Sequence, residues 1–198
     1  MGANSPRADA RWTGGSGRLG ELFARRWAVP VLAELEAGGG GGRLVTLANR
    51  TGAGRATARQ SIEHLLALGL VRENPGHGHP LRPEFVLTPR GRVIAPPSAA
   101  LVRALVRLDA MDMGLRKWSM PALAAVGAGA HRFGEITGSL GSATDRAVSI
   151  ALGDLESLGL VRRAVEDGRP PRPVYGVGAR ARGCLAPLNV LANTGTVV

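Results

Sequence analysis

Asp145–Val161, DRAVSIALGDLESLGLV, is the stretch whose reading decides the fold, because Arg55–Val71, RATARQSIEHLLALGLV, carries the same pattern earlier in the chain. Each reads as a helix with one apolar stripe: Ala58, Ile62, Leu65 and Leu68 in the first copy, Val148, Leu152, Leu155 and Leu158 in the second. Steps of three and four residues keep such positions on one side of a helix. Both copies run into the same Leu-Gly-Leu-Val-Arg, at 68–72 and 158–162. A helix of this kind buries one side and offers the other. In the first copy the offered side holds Arg55, Arg59, Gln60 and Glu63, residue types that reach base edges and phosphates.

Upstream of the first copy, the pattern turns helical at Leu19, with Leu22, Phe23, Trp27, Val31, Leu32 and Leu35 available to one buried face. Pro30 divides this stretch. Proline costs about 3 kcal/mol inside a helix and is tolerated in its first turn, so a fresh helix is expected near Arg26 or Trp27. The glycine run 38–42 ends it. Arg43–Arg50 reads as a short second helix with Leu44, Leu47 and Ala48 inward, Thr51-Gly-Ala-Gly as a turn, and Arg55–Leu68 as a third helix. Helix, tight glycine-containing turn and helix form a helix-turn-helix, whose second helix is the one presented to the major groove. A wing follows: a strand at 70–73, a Gly/Pro/His loop at 74–83 and a returning strand at 84–87, after which Thr88-Pro89 starts another helix. Residues 90–113 read as a connection broken at Pro96-Pro97 and then helical, with Leu101, Leu105, Leu108 and Met111 on one stripe and Val102 and Val106 beside it. The two flanking domains or a second chain could cover that face.

The pattern then begins again. RRWAVPVLAEL at Arg25–Leu35 corresponds to RKWSMPALAAV at Arg116–Val126, tryptophan on tryptophan and proline on proline. Leu47 corresponds to Ile136, Arg82-Pro83 to Arg172-Pro173, and Phe85 to Tyr175. Chance does not readily place a costly proline, a tryptophan and a five-residue identity in the same order twice, so tandem duplication is inferred. The expected fold is mainly α with small β-wings: a disordered arm at 1–17, a winged helix-turn-helix domain at 18–96, a linker helix at 97–114 and a second winged domain at 115–198. The two domains would form a pseudo-dimer.

Composition narrows the partner. A formal charge of +10 favours polyanions, DNA, RNA or an anionic membrane surface. An Arg-, Ala-, Gly- and Pro-rich chain whose one lysine is Lys117 is also what a GC-rich genome produces, so charge alone does not decide. With Cys184 as the single cysteine, an intramolecular disulfide and a thiolate zinc cluster are excluded, and a reducing cytoplasm is the default. No apolar run approaches the ~18 residues that span a bilayer, and the polar N-terminus does not read as a signal sequence.

The chain resembles the winged helix-turn-helix regulators of the HxlR type, within the group that includes the MarR-like repressors. The resemblance rests on Arg-Lys-Trp-Ser (116–119), Arg-Phe-Gly-Glu-Ile (132–136), Leu-Glu-Ser-Leu-Gly-Leu-Val-Arg-Arg (155–163) and Phe-Val-Leu-Thr-Pro-Arg-Gly (85–91), and covers roughly Leu19 to Leu191. It implies a cytoplasmic bacterial or archaeal DNA-binding transcriptional regulator. Two departures stand out. Such regulators ordinarily carry one winged domain and dimerise, whereas this chain reads as a dimer fused into one polypeptide. A sensory cysteine, where the family has one, precedes the first tryptophan-bearing helix; here Cys184 lies in the last helix, as a small buried hydrophobe.

The expected function is sequence-specific transcriptional regulation, repression before activation, with double-stranded DNA as partner. In the first domain Arg55, Thr57, Arg59 and Gln60 are the base-facing candidates, with Glu63 beside them, since arginine pairs bidentately with guanine and glutamine with adenine. Arg50 and Arg72 are assigned to backbone phosphates, and His77, His79 and Arg82 to the wing on or in the minor groove. In the second domain Ser142 and Asp145 fit a capping box. Its offered face carries Asp145, Arg146, Ser149, Ile150, Asp154 and Glu156, and the acidic members repel phosphate. Arg162, Arg163, Arg169 and Arg172 would compensate from its wing. Asymmetric binding follows, base reading from the first helix and mostly backbone contacts from the second, with Arg146 and Ser149 as the latter helix's DNA-facing candidates.

Trp27 and Trp118 could line an effector pocket between the domains, though paired core tryptophans are the blander account. His64, His77 and His79 lack a carboxylate or thiolate nearby in sequence for a metal site, Gly52-Ala-Gly54 lacks the strand and lysine of a nucleotide loop, and no catalytic constellation is present. No cofactor is expected, and the chain would act as a monomeric pseudo-dimer or a homodimer. Two other readings stay open: a ligand-sensing or protein-interaction module that has lost DNA recognition, and a non-specific architectural DNA binder.

Overall fold

A computed structural model describes residues 16–74, 83–167 and 171–194. The chain opens with α1 (Ser16–Leu22) and α2 (Ala28–Ala37). Pro30 is the third residue of α2, inside the first turn, where its missing N–H forfeits no intrahelical bond. Gly38 caps the helix end by donating to Glu34 O at 3.0 Å. There follow β1 (Gly41–Arg43), α3 (Leu44–Thr51), α4 (Arg55–Ala67), β2 (Val71–Asn74) and β3 (Glu84–Leu87). The antiparallel sheet has the order β1-β3-β2, with Val71 opposite Leu87 and Gly41 opposite Val86. β1 was not expected: the glycines that end α2 also supply a third strand on the outer edge of β3.

The second part runs α5 (Pro89–Arg107), α6 (Met111–Gly114), α7 (Ser119–Gly127), α8 (Phe133–Leu140), α9 (Asp145–Ser157), β4 (Val161–Glu166), β5 (Arg172–Val177) and α10 (Arg182–Asn193). β4 and β5 form a two-stranded hairpin. In the place that β1 holds in the first sheet there is only an isolated bridge between Arg132 and Val174, with Tyr175 N donating to His131 O at 2.8 Å.

The repeated Leu-Gly-Leu-Val has a structural cause. Gly69 and Gly159 take φ of 66° and 68°, a left-handed conformation that favours glycine. This lets Gly69 N donate to Leu66 O and Leu70 N to Leu65 O, both at 3.0 Å. Gly159 N and Leu160 N donate likewise to Glu156 O and Leu155 O, both at 2.9 Å. These are the paired bonds of a Schellman C-cap. Leu70 and Leu160 are buried beneath the turn, and Val71 and Val161, 2% exposed, begin the strands.

The expected break at Pro96-Pro97 does not occur, since α5 is continuous from Pro89 to Arg107. The carbonyls left without a helical partner are those of Arg92 and Val93. Both residues are exposed, so water can take the vacant positions. On the buried side the Ser98 hydroxyl donates to Ile94 O at 2.8 Å. The apolar stripe of α5 is covered within the chain, by α2 on one side and α10 on the other. Leu101 and Leu105 are fully buried, while Val106 remains 60% exposed.

Buried side chains from both halves form one continuous core. α1 lies against α7, α8 and α10, so the first helix closes the core of the second half. Gly20 makes this approach possible: a Cβ there would stand 2.6 Å from a ring carbon of Trp118. Across the same junction Arg26 pairs with Asp112 at 2.5 Å, and Arg116 stands 3.7 Å from the same carboxylate. Arg26, by hydrogen bond and charge, holds the Asp112 carboxyl below its ordinary pKa. Cys184 is fully buried in α10, and burial pushes its thiol up to about 11.

Candidate nucleic-acid interface

The turn between α3 and α4 is held by one side chain. Thr51 donates its hydroxyl to Leu47 O at 2.7 Å, and the same oxygen accepts from Ala53 N at 3.3 Å. Ala53 is buried beneath the turn. α4 then starts at Gly54 with no side-chain cap and no acidic residue in its first turn, which leaves its first N–H groups and the positive end of its dipole open. Ala58, Ser61, Ile62 and Leu65 face the core. Arg55, Thr57, Arg59, Gln60 and Glu63 are all exposed. Among the described residues neither Arg55 nor Arg59 is in an ion pair.

Beside α4 lies a cleft of about 560 Å³, with Arg55, Arg59 and Glu63 on the helix side, Glu73 and Phe85 on the sheet side, and Arg43 with the first turn of α3 at one end. Arg43 was missed in the sequence. Its only signal there was its position immediately before α3, matching Arg132 before α8. Residues adjacent on a strand point to opposite faces. Arg72 is exposed and follows the buried Val71, so it points away from the face that Glu73 and Phe85 give to this cleft. Arg50 is also set apart. Its Nε stands 2.6 Å from Glu34 Oε2. The contact is an ion pair and not an aligned hydrogen bond, since Oε2 has no hydrogen-bond partner. Asn74 Nδ2 donates to Glu84 Oε2 at 2.9 Å at the base of the wing; His77, His79 and Arg82 lie outside the described residues.

The second helix pair differs at the points that matter for an anion. The cap of α9 is Thr144, whose hydroxyl accepts from Ala147 N at 3.3 Å. This corrects the expected Ser142–Asp145 capping box: Thr144 and not Ser142 is the N-cap, so Asp145 is the first helical residue, two places short of the third position from which a capping carboxylate reaches back. A reciprocal acceptor occurs instead at α8, where Glu135 Oε2 accepts from His131 N at 2.8 Å and Arg132 N at 3.0 Å. Those two backbone bonds, the Arg132 one first, lower the Glu135 pKa. Asp145, Arg146, Ser149, Ile150 and Glu156 are exposed. Asp154, one turn after Ile150, is less exposed than they are. Its side chain is 15% exposed and receives Arg116 Nη1 at 2.8 and 3.1 Å, so one of the expected acidic groups is neutralised against the turn before α7.

Arg162 and Arg163 are both exposed but project from opposite faces of the hairpin. Arg162 crosses Gly176 and lines a cleft with Arg132 and Glu166, while Arg163 is paired in register with Tyr175. Arg172 faces Glu166 in register and is exposed; Arg169 lies outside the described residues. Arg132 and Glu166 approach to 3.5 Å. Trp27 and Trp118 are half-buried, each with a neighbouring cation over its ring, Arg26 at 5.7 Å and Lys117 at 4.6 Å. Neither tryptophan lines either cleft. His64 turns inward, its Nε2 2.8 Å from Glu21 O. Among the described residues there is no cluster of three metal-ligating side chains, and no helix is long and apolar enough to cross a membrane.

A helix-turn-helix followed by a hairpin is the architecture of winged DNA-binding domains, and comparison with known families agrees for the second half. The family model for the HxlR-like helix-turn-helix matches residues 115–196, the span from just before α7 to just past α10. That family points to a DNA-binding transcription regulator. No curated protein and no solved structure matches the chain.

Proposed function

We propose that the chain is a sequence-specific transcriptional regulator, acting as a repressor, in which two winged helix-turn-helix units from a tandem duplication form a pseudo-dimer on DNA. The units would be 18–96 and 115–198, joined through 97–114. The observation that carries the reading is the α4 face: Arg55, Thr57, Arg59 and Gln60 exposed on the second helix of a helix-turn-helix, beside an uncapped N-terminus. The recurrence of helix, turn, helix, hairpin and helix, from α3 to α5 and again from α8 to α10, supports the duplication. So do the two matching Schellman turns.

In this reading Arg55, Arg59 and Gln60 reach base edges in the major groove and Arg43 takes phosphate beside them. Arg72 and Arg162 lie on sheet faces that suit backbone contact outside the groove. Arg50 serves Glu34 instead. The second unit contributes Arg146, Ser149, Arg163 and Arg172. Two recognition helices on successive major-groove turns would be about 34 Å apart.

The test is selection of the full chain against a random duplex pool at near-physiological salt, with sequencing of the retained DNA. A recovered motif supports specific regulation. Bulk retention without a motif, with a steep salt dependence, would identify a charge-driven DNA binder. No retention at moderate salt would leave a sensor or protein-interaction module, the reading favoured by the acidic Asp145 and Glu156 on α9.

A further inference from the structure

Ile150 is 50% exposed on α9. The other large apolar side chains this exposed, among the described residues, are valines, and only Ile150 lies on the second helix of a helix-turn-helix. It is the sixth residue of α9, the place that Gln60 holds in α4, and both project from the side opposite the buried stripe. Its surroundings on that side are Arg146 one turn before, Ser149 alongside and Gly153 one turn after, where a Cβ would meet no atom within 4 Å. The carboxylate that would have polarised this surface, Asp154, is drawn away to Arg116. An apolar branched side chain therefore stands in a shallow setting between short neighbours, with Arg146, which among the described residues is in no ion pair, at its edge.

Resting on the proposed DNA function, we propose that Ile150 reads the 5-methyl group of thymine in the half-site of the second domain, while Gln60 reads adenine in the other. In the major groove thymine alone projects a methyl group at C5, and apolar side chains recognise it by contact. Cytosine and uracil present only hydrogen there. The two recognition helices would then differ in the chemistry they read and not only in charge, and a motif bound by the chain would be unsymmetric at this position.

The experiment is the random-duplex selection run twice with the full chain, once on a thymine pool and once on a pool synthesised with deoxyuridine in its place, together with Ile150→Ser and Gln60→Ala on the thymine pool. Ile150 is a surface position, and thermal melting checks that Ile150→Ser folds as the parent does. The expected result is a motif in which one thymine preference falls about fourfold in the uracil pool, the factor given by about 0.8 kcal/mol for one buried methyl. Ile150→Ser should lose the same preference at the same position, and Gln60→Ala should change an adenine elsewhere. A motif identical in both pools, or one that Ile150→Ser leaves intact, overturns the assignment while specific DNA binding stands. Failure of the parent chain to yield any motif from thymine DNA removes both.

Discussion

Substituting alanine for two helical glycines should move stability in opposite directions. Gly91 lies in the first turn of α5, where an added Cβ would stand 1.9 Å from Leu70 O and 3.0 Å from Leu70 C. That carbonyl already accepts Thr88 N at 3.1 Å, and Thr88 Oγ1 donates to Gly69 O at 2.8 Å. These two bonds clamp the end of the hairpin to the end of α4. To admit a methyl group α5 must move off a backbone atom, which costs about 1–3 kcal/mol as overpacking and about 1 kcal/mol for each clamping bond that is lost. Alanine returns about 1 kcal/mol of helix propensity. The clash wins, and Gly91→Ala should lose about 2–4 kcal/mol. Gly153, in the middle of α9 with nothing near its Cβ position, has only the propensity term, so Gly153→Ala should gain about 1 kcal/mol. Urea unfolding followed by tryptophan fluorescence reads both. With a slope of about 3 kcal/mol/M the midpoint falls by roughly 1 M in the first and rises by roughly 0.3 M in the second. Equal midpoints for Gly91→Ala and the parent would refute the close approach. A destabilised Gly153→Ala would show that α9 is covered on that side.

Other perturbations test single contacts. Cys184 should be alkylated far more slowly than a free thiol at pH 8 in the native protein. Its folded pKa is raised from 9.0 to about 11, so the stability linked to its protonated form is complete below pH 9 and is lost as pH rises toward 11. Glu135→Ala should lower the melting temperature at neutral pH by freeing the His131 and Arg132 amides. The Glu135 pKa is depressed, so its contribution is present above the ordinary carboxylate range and the difference between variant and parent should vanish on acidification through the lowered pKa. Asp154→Asn should cost about 1 kcal/mol in urea unfolding and leave DNA affinity no weaker, whereas weakened DNA binding would place Asp154 at the interface. Arg50→Ala should lower stability by about 1 kcal/mol without changing the salt slope of DNA binding, and Arg59→Ala should reduce that slope by up to about 0.9 if it meets a phosphate. Equal losses of affinity from Arg59→Ala and Arg146→Ala would defeat asymmetric binding.

Periodicity and punctuation carried most of the fold. The stripe through Ala58, Ile62 and Leu65 is buried where expected, and Pro30 marks the first turn of α2, because both follow from local geometry that three or four residues specify. What escaped was set by distant partners. Three glycyl and arginyl residues became β1 only because β3 offers an unpaired edge, a fact that no pattern within Gly41–Arg43 encodes. Pro96-Pro97 reads as a break on its own and is absorbed because the carbonyls it frees face water. The site was legible as a list of exposed residues, but not as a surface. Arg72, Arg50 and Asp154 look equivalent to their neighbours in the sequence, and strand alternation, Glu34 and Arg116 respectively turn them elsewhere. The Ser142–Asp145 signal failed by register: the three-residue spacing was present, but the helix began at Asp145.

The proposed fused arrangement bears on how such a surface could diverge. A homodimer presents every recognition residue twice, so a change at one half-site is a change at both. When two winged units share a chain, each position can vary alone, and the described differences fall where DNA would be met: Arg59 against Ser149, Gln60 against Ile150, an open helix start against one capped by Thr144. The positions that hold the units together differ much less. Gly69 and Gly159 make the same turn, and Thr88 N and Gly178 N donate to the corresponding carbonyls, Leu70 O at 3.1 Å and Leu160 O at 2.8 Å. Under the proposed duplication, selection for the shared core explains the constancy of the second set. Loss of the two-fold constraint on the bound DNA explains the freedom of the first, so the operator should be an imperfect palindrome whose halves differ most opposite Gln60 and Ile150.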